Sequence, residues 1–451
     1  MLRKEGNSVK NYLLEMVRKR KLGIHCGIPS FCCANKLVIE AILDQAQRFD
    51  DTVLIEATSN QVNQYRGYMG MLPQDFSDYV YSIADKIGFS RKKIILGGDH
   101  LGPLPWVDEP AAQAMEKAAE LVRLSVLAGY QKIHLDTSMR LGDDPVDRPL
   151  ETATIARRGA YLYNACEEAY QQLLKKDPTA EHPVFVIGSE VPIPGGIQSD
   201  DEGMQVTRPE DFEDTLLTYR DEFAKLGLSD AWRYIIAVVV QPGVEFGNEQ
   251  LHHYNRSAAK KLCEALKRYP DIVFEGHSTD FQSPTKLKEM VEDGIAIIKV
   301  GPALTFALRE ALFALSGMER ELIDDPAQRA NFPEVLEEAM LKNPKQWEKH
   351  YSGTEKQLHL EREYSFSDRC RYYLSQPEVD SAIAKLFYNL DQTDIPMGML
   401  HQYMPLQYIK VRDGRLPMQA RELVKDSIIT LVDDYNYAVK YNYMTGGIFI
   451  R

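Results

Sequence analysis

Three histidines and five carboxylates in this 451-residue chain stand at the ends of short apolar runs, and their chemistry depends on that placement. Glu56 closes "VLIE", with Asn60 shortly after; Asp99 and His100 close "IILGGDH"; His134 and Asp136 lie in "KIHLD". Glu190 ends "VFVIGSE", Gln241 ends "YIIAVVVQ", Glu275 and His277 lie in "VFEGH" just before Ser278, and Lys299 precedes Gly301 in "IIKVG". Residues two apart in an extended strand point the same way, so His134 projects with Asp136 and Glu275 with His277. A single strand-end histidine reads as readily as a hydrogen-bonded core residue as it does a ligand. His100, Glu190 and His277 together make a stronger pattern, the imidazole–carboxylate–imidazole set of catalytic divalent-metal sites. Gln241 supplies a neutral oxygen for a fourth position, and Zn, Mn, Ni and Co all accept such donors. Gly195 and Gly196 after Glu190 form a turn or a backbone cradle. Lys299 and the free N–H groups at the helix start by Gly301 form an expected anion site.

Eight elements are needed to bring these groups together. Val- and Ile-rich runs predict strands at 23–26, 52–57, 93–97, 132–135, 184–188, 234–240, 272–274 and 296–300. Segments of helical period alternate with them at 36–49, 73–87, 111–127, 151–175, 209–225, 257–269, 284–291 and 303–314. The third helix shows the pattern plainly. Met115, Ala118, Ala119, Val122 and Val126 recur at three- and four-residue steps, with Glu116, Lys117, Glu120 and Arg123 on the other side. Eight βα units with nearly unbroken apolar strands predict a (β/α)₈ TIM barrel, whose reactive groups stand at the C-terminal strand ends. An open doubly wound sheet is the competitor, but it wants a Gly-rich phosphate loop that "GIHCGIPSFCC" lacks. The barrel is expected over 1–317. A helical, Tyr- and Met-rich extension packed on it is expected over 318–451, either as ordinary helical packing or as a subunit interface.

Composition narrows the function. Fifty-three Lys and Arg against 66 Asp and Glu give a net charge of −13, which argues against a general nucleic-acid or membrane surface. No run approaches the ~18 apolar residues of a membrane span, and the basic N-terminus has no signal-type apolar core, so a cytoplasmic location is expected. Six scattered cysteines are read as reduced thiols, with adjacent Cys32 and Cys33 as small apolar residues near a strand end. There is no G-x-x-x-x-G-K-[ST] phosphate loop.

Seven motifs spread over essentially the whole chain, "LIEATSNQVNQYRGYMGM", "IILGGDHLGP", "KIHLDTSM", "IGSEVPIPGG", "VVVQPGVEFGN", "EGHSTDFQ" and "IKVGPALTFALREALFAL", resemble those of the so-called non-catalytic subunit of class II tagatose-bisphosphate aldolase. The resemblance implies a (β/α)₈ barrel with a helical extension, a link to galactitol and N-acetylgalactosamine catabolism, and support of a separate catalytic subunit. Some relatives are used as metal-dependent fructose/tagatose 4-epimerases. A more distant likeness to class II aldolases matches Asp99 and His100 to their Asp-His pair, Glu190 to the Glu before a Gly-Gly loop, and His277 to their last His. Their remaining histidine has no counterpart here, and Gln241 stands in its place.

Two functional expectations follow. The first is a metal-dependent epimerase that interconverts D-fructose and D-tagatose, or their phosphates, at C4. A retro-aldol cleavage of C3–C4 and recombination on the other aldehyde face avoids removing a non-acidic hydrogen. Asp99, Asp136 and Glu190 would act as catalytic carboxylates. Glu56, Asn60, His134, Ser278, Lys299 and Gly301 would hold the sugar, and His100, Glu190, Gln241 and His277 the metal. The second is a non-catalytic subunit whose aromatic extension docks a class II aldolase catalytic subunit. Association into a homo-oligomer is compatible with either.

Overall fold

The computed structural model describes residues 11–189 and 205–440. Its eight barrel strands are β1 Ile28–Phe31, β2 Val53–Thr58, β3 Ile94–Leu101, β4 Lys132–Leu135, β5 Val184–Ile187, β6 Ile235–Val240, β7 Val273–Gly276 and β8 Ile295–Val300. Each pairs in parallel with the next, and β8 returns to β1 with Ile28 beside Ile297 and Phe31 beside Val300, so the sheet closes. The expected TIM barrel is the observed fold. Closure removes both sheet edges, and helices cover the outside, which is why these strands tolerate so many apolar residues in a row.

Helix α1 spans Tyr12–Lys21, and eight more follow the strands: α2 Lys36–Phe49, α3 Pro73–Ile87, α4 Ala111–Leu127, α5 Thr152–Lys176, α6 Pro209–Lys225, α7 Arg256–Leu266, α8 Pro284–Asp293 and α9 Pro302–Leu322. Their starts are chemically marked. The Asn35 side chain accepts from the N–H groups of Leu37 and Val38, the Ser283 hydroxyl from Lys286, and Pro occupies the first turn of α3, α6, α8 and α9.

Two expectations change. The first strand lies at 28–31 and not at 23–26. Residues 23–26 leave α1 through Gly23, whose φ of 80° suits a residue without a Cβ, whereas the true strand contains Pro29, which cannot donate to a ladder and so hid it. Helix α1 itself was not expected. It presents Leu13, Met16 and Val17 to the barrel's interior, where they pack with Ile28, Leu54, Ile95, Val184, Val186, Val239, Val273 and Ile297 as a plug at the N-terminal end.

The remaining helices are α10 Phe332–Lys342, α11 Glu355–Tyr364, α12 Pro377–Asp391, α13 Met397–Tyr403, α14 Pro405–Arg412 and α15 Ala420–Val439. The boundary expected after residue 317 falls inside α9, because Leu315 and Met318 extend its buried face beyond Leu308 and Leu312. Helix α15 then returns to pack on α2, α8 and α9. Arg421 pairs with Glu40 and Lys425 with Asp44, and the Gly27 N–H donates to the Val439 carbonyl. Two buried ties reach the C-terminal side of the barrel. The Tyr435 hydroxyl donates to the Thr279 carbonyl at 2.8 Å, and the Arg309 guanidinium of α9 meets the Asp368 carboxylate at 2.8 Å.

Candidate functional site

Each inward column of the barrel changes character as it rises. Leu54 is followed two residues on by Glu56, Ile28 by Ser30, Val273 by Glu275 and then His277, and Ile297 by Lys299; β4 contributes Lys132, His134 and Asp136 in the same step. Period-two geometry therefore converts a dry lower core into a charged upper one without any change of strand direction.

The lower charged tier is a closed set of ion pairs. Lys132 Nζ lies 2.8 Å from Glu56 Oε1 and 2.7 Å from Glu275 Oε2, with all three side chains fully buried. Lys299 Nζ lies 2.5 Å from Glu56 Oε2 and 2.6 Å from Asp99 Oδ1, and the Ser30 hydroxyl donates to Glu56. Gly97 makes room for this arrangement, since a Cβ there would collide with the Glu56 carboxylate. Burial opposes the charge of Lys299, but Asp99, Glu56 and Glu275 outweigh it and raise its pKa well above the usual lysine range. The ammonium is fixed in its charged form and is not available as a nucleophile.

Above this tier, Asp99, His100, His134 and His277 present one donor atom each, all within 4.8 Å of one another. The three rings are mutually edge-on, with centroids 4.8–5.1 Å apart. Asp136 accepts from His100 Nδ1 at 2.7 Å and Glu275 accepts from His277 Nε2 at 2.9 Å. These carboxylates fix the tautomers and leave His100 Nε2 and His277 Nδ1 as lone-pair donors, the outer-shell arrangement that metal-binding histidines use. His134 Nδ1 lies 3.2 Å from Asp99 Oδ1, and its buried Nε2 has no hydrogen-bond partner among the described residues. Burial, reinforced by the neighbouring His100 charge, pushes His277 down to about 3, so it is neutral at physiological pH. For His100 burial acts the same way, but Asp99 and Asp136 outweigh it and raise its pKa. Burial works against ionised Asp99 and Asp136, and the surrounding positive groups nevertheless hold both below the usual carboxylate range.

The charge balance shows what the cluster can accommodate. Two ammonium groups, Lys132 and Lys299, face four buried carboxylates, Glu56, Asp99, Asp136 and Glu275, leaving an excess of two negative charges. A proton on His100 offsets one of them, and a divalent cation would offset both. Metal–ligand bonds of about 2.0–2.2 Å bridge donors up to ~4 Å apart, so the widest pair must close by less than about 1 Å. The residues present therefore fit a cation.

A cavity opens above the cluster and is lined by Asn60, Asp99, His100, His277, Ser278, Lys299 and Gly301 among others. Of the residues expected to hold sugar, Asn60, Ser278, Lys299 and Gly301 face it. Glu56 and His134 lie beneath it, as braces of the ion-pair tier and the histidine trio. Asp136 is likewise below the floor, where it positions His100 and accepts from Ser138. Gln241 does not line the cavity. Its Oε1 accepts from the Gly243 and Val244 N–H groups at 2.8 and 3.0 Å and closes its own turn. Glu190, with Gly195 and Gly196, lies outside the described residues.

The anion site expected at Gly301 is already filled by the chain. Asp280 Oδ1 accepts from the N–H groups of Gly301 and Ala303 at 3.0 and 2.8 Å, capping α9 with a buried carboxylate whose pKa burial raises to about 6. Sequence reasoning also missed Lys132, which stepping two residues back from His134 would have found. It missed Arg371, Tyr372 and Ser375 as well, which reach the cavity from the extension with no periodic signal.

Fold and site together define a (β/α)₈-barrel protein with a buried Asp/His cluster at the mouth that could hold a cation. A family model described as D-tagatose-1,6-bisphosphate aldolase subunit GatZ/KbaZ-like matches residues 13–440, and the chain belongs to that family. It is 46% identical over 423 residues to the D-tagatose-1,6-bisphosphate aldolase subunit GatZ of Salmonella paratyphi B, covering 94% of this chain and 98% of that one. The Klebsiella pneumoniae GatZ subunit is likewise 46% identical over 423 residues, with the same coverage. The crystal structure of a probable tagatose 6 phosphate kinase from Sinorhizobium meliloti 1021 superposes with a TM-score of 0.83 at 42% identity, covering 92% of this chain and all of the other.

These relatives correct the first functional expectation. Proteins this similar along their whole length are named as aldolase subunits, which overturns the reading of the chain as a free-standing catalytic 4-epimerase. The physical reason is that ligand-type residues report at most the capacity to hold a cation and not turnover. General acid–base work favours a group that titrates near neutrality, and Asp99 and Asp136, given that work above, are both held far lower by the cations and histidines around them.

Proposed function

We propose that this chain is a subunit of a tagatose-bisphosphate aldolase that stabilises and activates a separate class II catalytic subunit. The observation that carries this reading is the 46% identity, over 94% of the chain, to proteins named as such subunits. In this reading the barrel mouth is a supporting site. Asp99, His100, His134 and His277 would hold a divalent cation of the Zn, Mn, Ni or Co type, which when bound supplies positive charge to an over-negative core. Asp136 and Glu275 keep the two imidazoles oriented, and Lys299 keeps Asp99 ionised.

The test is co-purification with a class II tagatose-bisphosphate aldolase catalytic subunit, followed by cleavage assays with and without this chain. A stable complex with higher cleavage activity and slower thermal inactivation of the catalytic subunit is expected. Failure to form a complex and unchanged cleavage would end the reading, as would conversion of fructose into tagatose by this chain alone with added Mn²⁺, Ni²⁺ or Zn²⁺.

A further inference from the structure

The cavity wall contributed by the extension carries a cationic group that no carboxylate contacts directly. Arg371, in the single turn Arg369–Tyr372, lines the cavity beside Tyr372 and Ser375. Its Nη1 donates to the Ser367 and Asp368 carbonyls and its Nη2 to the Tyr372 hydroxyl at 2.8 Å, while its guanidinium lies 4.3 Å from the Tyr372 ring centre. Tyr372 in turn meets Tyr68 edge to face at 4.9 Å. Every acceptor named is electrically neutral; among the described residues Arg371 has no carboxylate within ion-pair distance, and Asp368 and Asp280 act on it only from farther away.

The nearby carboxylates are engaged elsewhere. Asp368 is bound to Arg309 and Thr305, and Asp280 to the N–H groups that start α9. Lys299, the other lysine or arginine lining the cavity, is held by Asp99 and Glu56. A planar guanidinium pinned by neutral partners and facing a cavity is prepared for an oxyanion, because its orientation is set before the ligand arrives. The same cavity offers Asn60, Gln61, Thr58 and Ser278, which suit hydroxyl groups.

We propose that this cavity binds an anionic polyhydroxyl ligand, a sugar bearing a phosphoryl or carboxylate group, and that Arg371 of the extension holds the oxyanion. The oxyanion site is assigned to Arg371 and not to the helix start by Gly301, which Asp280 occupies. It makes the extension part of the binding site and gives the subunit a ligand of its own. The proposal does not rest on the subunit reading, because ligand binding by the isolated chain is independent of any complex.

Calorimetric titration of the full chain alone with fructose, fructose 6-phosphate, galacturonate and inorganic phosphate tests it. At least one of the two anionic sugars is expected to bind about tenfold or more tightly than fructose, with inorganic phosphate competing. The stronger of the two identifies the anion as phosphoryl or carboxylate. In Arg371→Gln that preference should fall to near equality, and in Arg371→Lys, which keeps charge but loses the fork, it should fall part of the way. Ser375→Phe narrows the same wall outside the Arg371 hydrogen-bond network. It should weaken anionic-sugar binding about tenfold with an unchanged ligand-free thermal midpoint, which keeps the test decisive should the Arg371 variants not fold. Equal affinity for anionic and neutral sugars, no binding of either anionic sugar, survival of the preference in Arg371→Gln, or unimpaired binding in Ser375→Phe would overturn the proposal.

Discussion

The two ends of the barrel interior are built from the same strands by opposite means. The N-terminal half is filled by Leu, Ile and Val side chains and stoppered by α1, so it gains from dispersion and loss of hydrated surface. The C-terminal half buries two lysines, four carboxylates and three histidines in contact with one another, where each charge is tolerable only while its partners are present. The difference teaches that one half is a device for stability and the other for specificity of position. The lower half should yield gradually to substitution and the upper half abruptly.

The sharpest way to break that comparison is Lys132→Met, which leaves Glu56 and Glu275 buried with one ammonium fewer between them. A loss of ~3–5 kcal/mol in denaturant unfolding is expected, partly recovered by adding Glu275→Gln. A loss under about 1 kcal/mol would show that the tier is hydrated and the contrast false. Next in size, Leu13→Ala in the fully buried face of α1 should cost ~2–4 kcal/mol while leaving cation binding at the mouth unchanged. Coupled loss of that binding would mean that the two halves are not independent.

A third prediction concerns pH. Glu245, in a short hairpin after β6, is buried beside Ser278, and burial raises its pKa to about 7 from an ordinary 4.5. Between those values the folded chain holds a proton that the unfolded chain has released, so this group's contribution to stability falls as pH rises through the window. Glu245→Gln should therefore match the parent near pH 4 and exceed it by up to ~3 kcal/mol at pH 8. A pH-independent difference would refute the buried, ionising state of Glu245. The smallest effect is that of cation loading. Addition of Mn²⁺ or Zn²⁺ at about 100 times the dissociation constant should stabilise the chain by ~2.7 kcal/mol, and His277→Ala should remove most of that response. A response that survives His277→Ala would place the cation elsewhere.

Most of the barrel was legible because its determinants are local. Alternating runs and helix starts such as Pro73 and Pro209 placed α3, α4 and α6 at their observed limits. The first strand was misplaced because Pro29 contradicts the local rule that a central strand avoids proline, and closure of the barrel overrides it. At the site, strand-end residues such as His134 and His277 followed from period two, and Lys132 was missed because that period was not carried back from His134. The Gln241 side chain serves the turn that follows, a role that strand alternation cannot reveal. Arg371 and Tyr435 were invisible for a different reason. They sit in the extension, and only the tertiary return of α15 and the 369–372 turn brings them to the barrel mouth.

That return gives the cavity a timetable. A ribosome that has released all eight strands has produced a closable barrel but not its ligand wall, since the guanidinium at position 371 and the hydroxyl at 435 that grips the β7 loop are still to be synthesised. A truncated product ending before α15 would keep the guanidinium at position 371 but leave bare the faces of α2, α8 and α9 that the last helix covers, and the β7 loop without its grip.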